Sequence, residues 1–203
     1  SIIFMKFGVD FDFLVDFYFS ERISFFPSLK VSKSLVPEVL LIYGGLRHTQ
    51  KRNTLKSLSD ENPYIHSFGT NQSILADSIF TQELEFTNGQ ELYVVMRNVL
   101  SKDAIFEGSI AYGLFQDFAH FIDIYHPTYS RFQANYINVN QLHANLNYSK
   151  KINNIINIHI NADYFSWDKD VYHKPNLTLD LSVPINLRDK IKVTPVMTYM
   201  SER

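Results

Sequence analysis

The side chains best placed to hold a metal or move protons here are histidines and carboxylates. The chain has seven His, 21 Asp and Glu, and no Cys, so a thiolate metal site, a Cys nucleophile and a disulfide framework are excluded. His143 and His159 both fall on the polar positions of alternating runs. With a turn centred near Lys151 they would face each other on adjacent strands, where two imidazoles can bind a metal or titrate together. No carboxylate flanks the pair, and Asp163 lies one pleat layer further along. The expectation is therefore two hydrogen-bonded fillers and no metal site. Asp10, Asp12 and Asp16 share one face of the first run and are expected to meet Lys30 or Lys33 on the next strand. A Ser–His–Asp hydrolase needs three converging groups, and no Gly-x-Ser-x-Gly turn is present. No enzyme activity and no cofactor are assigned.

The remaining candidates sit in one long connection, about residues 37–88. It carries Arg47, His48, Arg52, Asp60, Glu61, Asn62, Tyr64 and His66, the mix of charge, amide and ring that a ligand-contacting loop uses. Asn62-Pro63 also reads as a plain turn start.

The elements that must position these residues are strands. Every odd position from 3 to 19 is apolar, including Phe7, Val9, Phe11, Phe13, Val15 and Phe17, while Lys6, Asp10, Asp12 and Asp16 fall at even positions. The same two-residue period recurs over 23–31, 92–100, 104–118, 132–148, 156–164, 177–185 and 191–199, giving about eight strands. Short turns at 20–22, 101–103, 150–151 and 187–189 alternate with long connections at about 36–88, 119–130 and 167–175. Neighbouring strands share an apolar face only when an odd number of residues separates paired positions. Phe19 with Ile23, Leu100 with Ala104, and Ile185 with Ile191 (or Asn186 with Lys190) all satisfy this.

Alternation alone does not say which face meets water. The runs are about two to three times the usual strand length of five or six residues. Nine of the sixteen Asn lie between 135 and 161, and they make the polar face rich in amides, which suit a hydrated lumen better than an open surface. Phe17, Phe19, Tyr148, Tyr164, Trp167 and Tyr199 lie near run ends, as interfacial girdles do. These features point to an all-β, transmembrane antiparallel β-barrel in a bacterial outer membrane, with lipid as a partner. The 203 residues carry a net charge of −2 and a pI near 6.4, so no basic excess argues for nucleic acid. No apolar stretch of 18 residues exists for a transmembrane helix.

Several motifs are familiar together. They are Phe26-Pro27-Ser28-Leu29-Lys30, Val36-Pro37-Glu38-Val39, Tyr43-Gly44-Gly45, Asp60-Glu61-Asn62-Pro63, Ala162-Asp163-Tyr164-Phe165 and Tyr199-Met200-Ser201-Glu202-Arg203. In these the chain resembles the C-terminal part of the barrel of TonB-dependent receptor-like outer-membrane proteins of the Bacteroidetes type. Ser201 stands where that family usually has Gly. The resemblance implies a sector of a 22-stranded barrel, with residues 1–203 forming a single segment incomplete at both ends and 37–88 an extracellular loop. It implies uptake of a scarce ligand, with a TonB-type energising protein, a surface lipoprotein or other outer-membrane subunits as partners. The alternative is a plugless barrel subunit with a structural role in an outer-membrane assembly or secretion complex. A plug and a TonB-box segment are not among these residues, and Arg203 is not the terminal aromatic of that family.

Overall fold

A computed structural model describes residues 9–19, 23–65, 84–125, 130–187 and 191–201. Its elements are β1 (Val9–Phe19), β2 (Ile23–Val36), β3 (Leu40–Arg52), α1 (Leu55–Glu61), β4 (Phe86–Ser101), β5 (Ala104–Tyr125), β6 (Ser130–Lys151), β7 (Asn157–Trp167), β8 (Leu177–Ser182), β9 (Ile185–Leu187), β10 (Ile191–Val193) and β11 (Val196–Met200). Nine strands form one sheet in the order β1-β2-β3-β4-β5-β6-β7-β8-β11, and every neighbouring pair is antiparallel. The all-β antiparallel class expected from the alternation is the class observed. The sheet holds nine strands rather than eight, and among the described residues β1 and β11 are its edges.

The extra strand is β3, which occupies part of the expected 37–88 loop. Its Tyr43-Gly44-Gly45 centre interrupts the alternation and hides the strand from a periodicity reading. The glycines are there because the backbones come close. A Cβ on Gly45 would lie 1.7 Å from the carbonyl oxygen of Leu29, and one on Gly44 would lie 2.6 Å from that of Tyr93. Residues 37–39 are a tight turn, with Val39 N–H donating to the Val36 carbonyl at 3.1 Å and Glu38 at φ 62°. The long connection is thus 53–85, and it begins with α1. Thr54 and Ser57 cap this helix reciprocally: Ser57 N–H donates to Thr54 Oγ1 at 3.1 Å, and Thr54 N–H donates to Ser57 Oγ at 2.9 Å.

Adding one strand also reassigns the rims. The Phe19/Ile23 end of the β1–β2 hairpin lies at the same rim as connections 53–85 and 168–176 and the Tyr125/Ser130 hairpin end. The opposite rim carries 37–39, 102–103, 152–156 and the β9–β10 end. We call these the first and second rims. The expected grouping of 20–22 with 101–103 does not hold.

Registers follow parity with small corrections. Phe19 pairs with Ile23 as expected. Val99 pairs with Ile105, in the same register that Leu100 and Ala104 would continue, but at the turn Leu100 bulges and Ser101 takes Ala104. Strands β8–β9 and β10–β11 are one hairpin, because Ile185 with Val193 and Ser182 with Val196 share a register. The register pairs Leu187 with Ile191, not Ile185 with Ile191. The ladder breaks at Pro184 and Pro195, which lack an N–H, and Val183 N–H donates to the Pro195 carbonyl at 3.0 Å.

The registers stack residues of like character across the sheet. One row on the apolar face runs Phe13, Leu29, Leu46, Leu92, Tyr112, Leu142. The next runs Phe11, Val31, Gly44, Val94, Ile110, Ala144, Tyr164, Leu177. Further rows pass through Met96, Leu146, Leu179 and Tyr199, then through Phe106, Tyr148, Ile160, Leu181 and Met197. Four rows at about 6.7 Å spacing cover roughly 20 Å along the strands. No described residue covers this face: Phe13 is 67% exposed, Leu92 62% and Ile110 60%.

The dry core lies instead toward the first rim, where β5 and β6 run on past the ends of β4 and β7. Leu58 of α1 packs with Ala119, Phe121 and Ala134, joined by Ile65, Phe132 and Tyr136. Val171, from connection 168–176, packs with Phe115 and Val139, joined by Phe118, Ile137 and Trp167. Phe115 lies over two glycines, whose added Cβ atoms would sit 2.4 Å from its ring at both Gly89 and Gly113. At the β5 bulge, Asp117 adopts φ 52° and its N–H donates to Asn138 Oδ1 at 3.2 Å.

Candidate functional site

The polar face of the sheet carries a hydrogen-bonded lattice of amides, a carboxylate and an imidazole. Its centre is on β6 and β7, where strand pairing sets Asn145 opposite Asp163 and Asn147 opposite Asn161. Asn145 Nδ2 donates to Asp163 Oδ1 at 2.7 Å and to Asn161 Oδ1 at 2.8 Å. Asn161 Nδ2 donates to the other Asp163 oxygen at 2.6 Å. His143 Nε2 reaches diagonally to Asp163 Oδ1 at 2.8 Å. The His143 ring is stacked on Phe165 at 4.4 Å, and Phe165 on Trp167 at 5.6 Å. The three rings cover one another's faces, which fixes the imidazole against its carboxylate.

This geometry replaces the expected histidine pair. The β6–β7 turn is 152–156, not a turn at Lys151, so His143 pairs with Phe165 and His159 with Ser149. The two imidazoles lie six residues apart along the sheet, about 20 Å. Asp163, expected one pleat layer beyond the pair, is the carboxylate that meets His143. No group of three or more His, Asp or Glu able to hold a metal occurs among the described residues. Trp167 belongs to the polar face beside Val171 and Phe118, not to a girdle. Tyr164 and Tyr199 do lie exposed on the apolar face. The side chains of Phe17 and Phe19 lie outside the described ones.

Elsewhere on the polar face, charges are paired along the rows. Lys30 Nζ lies 4.0 Å from Asp12 and 5.1 Å from the Tyr43 ring centre. Lys33 instead pairs with Val9 on the apolar face. Toward the second rim a shallow depression of about 370 Å³ is lined by Arg97, Glu107, Asn147, His159, Asn161 and Asp180. Thr198 Oγ1 donates to Asp180 at 2.6 Å, and Asp180 is the register partner of Asn161, so β11 extends the polar row.

The eight loop candidates divide by element. Arg47, His48 and Arg52 are on β3, not in a loop. Arg47 Nε donates to Glu91 at 2.5 Å, with its guanidinium 5.0 Å from the Tyr93 ring centre. Arg52 lies 5.9 Å over Phe86. His48 pairs with Gln90. Asp60 and Glu61 end α1. Asn62 is the helix C-cap, with its N–H bonded to the Leu58 carbonyl at 2.8 Å and its Oδ1 accepting from Tyr64 N–H at 3.0 Å. Tyr64 is 72% exposed, and its carbonyl accepts from Phe132 N–H at 3.2 Å. His66 lies outside the described residues. Arg47, Arg52, Asp60, Glu61 and Tyr64 are all exposed, but Arg47, Arg52 and Glu61 are engaged with Glu91, Phe86 and the two lysines Lys51 and Lys174.

Two features of that rim carry no periodic signal in the sequence. Lys174 is bonded to Glu61, which also lies 3.8 Å from Lys51, so connection 168–176 is tied to α1. The Lys174 ammonium is 5.0 Å from the Phe118 ring centre. Burial lowers the Lys174 pKa, against a smaller upward pull from Glu61. The second feature is Asn53, whose Nδ2 donates to the Glu85 carbonyl at 2.9 Å and to Thr87 Oγ1 at 3.0 Å. Thr87 Oγ1 in turn donates to the Asp117 carbonyl at 2.7 Å. Asn53 thus pins both ends of the 53–85 connection to the β5 bulge.

No protein-family model matches the chain, and no curated protein does. Among solved structures the chain is similar to the copper transporter OprC, at TM-score 0.49 and 15% identity, over 82% of this chain and 25% of that one. The chain thus spans about a quarter of that protein's length.

Proposed function

We propose that this chain is a wall sector of an outer-membrane β-barrel that takes part in uptake of a scarce ligand, in the manner of TonB-dependent receptor-like proteins. The observation that carries the membrane part is the pair of faces. One face is uncovered and mostly apolar from β1 to β11, broken by Lys33, Asn98 and Ser166, while on the other face His143, Asn145, Asn161 and Asp163 bond to one another. In water the first would be a large exposed apolar patch. In lipid it is the outward band of a barrel, and the amide lattice is the lumen wall. The open edges at β1 and β11 then pair with further strands of the same barrel. Lipid is a partner throughout. A TonB-type energising protein, a surface lipoprotein or other outer-membrane subunits are partners on the receptor reading, which rests on the motif resemblance around Tyr43-Gly44-Gly45 and Asp60–Pro63. Asp60 and Tyr64, at the first rim, are the ligand-facing candidates.

The test is depth-dependent quenching in the full-length protein, with Trp167→Phe and any other tryptophans replaced. A tryptophan introduced by Leu92→Trp is expected to be quenched by lipids brominated on the acyl chain, whereas Trp167 in the parent is spared. Equal quenching at both positions, or a monomer that stays soluble without detergent, overturns the membrane reading. Ligand uptake that persists when the energising partner is deleted overturns the receptor reading alone.

A further inference from the structure

The second rim carries an amphipathic lysine cluster that neither the lumen lattice nor the apolar rows use. Strand pairing sets Lys150 opposite Ala104, and Lys151 N–H donates to the Asp103 carbonyl at 2.7 Å, which places Lys102 beside both. The β9–β10 hairpin end leaves the main sheet at its two prolines and joins the same neighbourhood. Asn186 N–H donates to the Ile155 carbonyl at 2.7 Å, and Lys192 pairs with Asn186. Lys102, Lys150, Lys151 and Lys192 are all exposed, and none forms an ion pair among the described residues. Exposed Ile152, Ile155 and Ile191 lie among them, at 45% to 59% of their full surface.

From this arrangement we infer that the second rim binds the phosphate headgroups of anionic phospholipids in the adjacent leaflet. The inference rests on the barrel reading above. Lys150 has the parity of Tyr148 and lies two residues beyond it, so it leaves the apolar face about 7 Å past the last apolar row. That is where a lysine stem can run along acyl chains while its ammonium reaches the headgroup layer. The isoleucines select the source of the phosphate. A free phosphate makes no use of exposed aliphatic side chains, whereas the first carbons of a lipid chain cover them. Among the residues whose side chains are described, the first rim differs in charge: Asp60, Glu61, Glu85, Asp117, Asp123, Asp168 and Asp170 there outnumber Lys51, Arg52, Lys56, Lys169 and Lys174.

The test uses the full-length protein in nanodiscs of zwitterionic lipid doped with phosphatidylglycerol, reading phospholipid retained per protein by native mass spectrometry. The wild type is expected to retain phosphatidylglycerol selectively. Lys150→Gln with Lys151→Gln is expected to lose about fivefold of that preference per lysine, on the scale of one charge near an anionic surface. Inorganic phosphate at millimolar concentration is expected not to compete. Ile155→Ser with both lysines intact is expected to weaken retention as well. Equal retention of both lipids by the wild type, or displacement by inorganic phosphate, overturns the inference while leaving the barrel reading intact. Failure of the protein to enter nanodiscs at all overturns the barrel reading instead.

Discussion

Arginine in place of Ile110 separates a lipid-facing strand from a solvent-facing one by the size of its effect. Ile110 sits in mid-strand on the apolar face, paired with Val94 and Ala144, and is 60% exposed. If that face met water, the change would forfeit only the covered 40% of the side chain. At about 1.5–3 kcal/mol for a fully buried aliphatic residue, that is roughly 1 kcal/mol. If the face meets hydrocarbon, Ile110 lies in the second of four rows, near the middle of the band, where arginine costs about 2–4 kcal/mol. The lost isoleucine contacts add to that, for a total of about 3–5 kcal/mol. Ser109 is the control one residue away. It faces the polar side, paired with Val95 and Asn145, so Ser109→Arg is expected to cost about 1 kcal/mol or less. The assay is urea-titrated folding of the full-length protein into lipid vesicles, followed by the gel shift of heat-modifiable folded barrels. A difference of at least about 2 kcal/mol between the two variants is expected. Equal penalties, or an Ile110→Arg cost near 1 kcal/mol, would refute the assignment of this face to lipid.

Three further outcomes follow from the geometry. Gly45→Ala drives a Cβ onto the Leu29 carbonyl, so it is expected to separate β2 from β3 and cost about 3 kcal/mol or more in the same folding assay, whereas Gly108→Ala, which meets only the Phe106 ring at 3.6 Å, costs under about 1 kcal/mol. Glu38→Gly relieves a left-handed residue in a tight turn and is expected to raise stability by about 1 kcal/mol, read from the urea midpoint. Glu61→Gln leaves Lys174 buried without its carboxylate and is expected to open the first rim by about 2–3 kcal/mol in hydrogen exchange at Val171 and Leu58, whereas Lys174→Met is near neutral. Because the folded-state pKa of Lys174 is lowered, the unfolded form binds more protons between that value and the ordinary lysine value. Wild-type protection is therefore expected to rise with pH across that window, and Lys174→Met to flatten the slope.

Most of the sheet was legible because its information is periodic. Phe19 and Ile23, or Val99 and Ile105, are specified by a two-residue repeat that any register slip by one residue would invert. What escaped is aperiodic. β3 is masked because Gly44 and Gly45 remove side chains where the alternation would show, and backbone approach, not burial, requires them. The His143–Asp163 contact depended on the length of the 152–156 turn, since moving the turn centre by three residues changes every partner on β7 by six. Asn53, Thr87 and Asp117 are single residues on three elements, and only the closed 53–85 connection brings them together. Lys174 and Glu61 are separated by 113 residues, and no local pattern links them.

The two rims distribute order unequally, and the strand lengths explain why. β5 and β6 have 22 residues each, but β4 pairs with β5 only as far as Gln116, and β7 pairs with β6 only from Gln141. Beyond those points the hairpin has two open edges and two uncovered faces, a marginal arrangement on its own. The connections at that rim supply what the neighbouring strands do not. Ile65 bridges to Phe132, Leu58 and Val171 are buried against the hairpin, and Asp168 accepts from Asn140 N–H at 2.8 Å. The hairpin and the described parts of the two connections thus form one cooperative unit, stabilised by a largely aromatic core and one partly exposed ion pair. At the second rim the described ends of β2 to β7 are joined by short turns, and the β9–β10 end that runs on lies against the 152–156 turn. A perturbation of α1 should therefore loosen connection 168–176 and the far end of β5–β6 together, without disturbing the amide lattice around Asp163. The lattice is held by the ladders of β6, β7 and β8, which reach the second rim on their own.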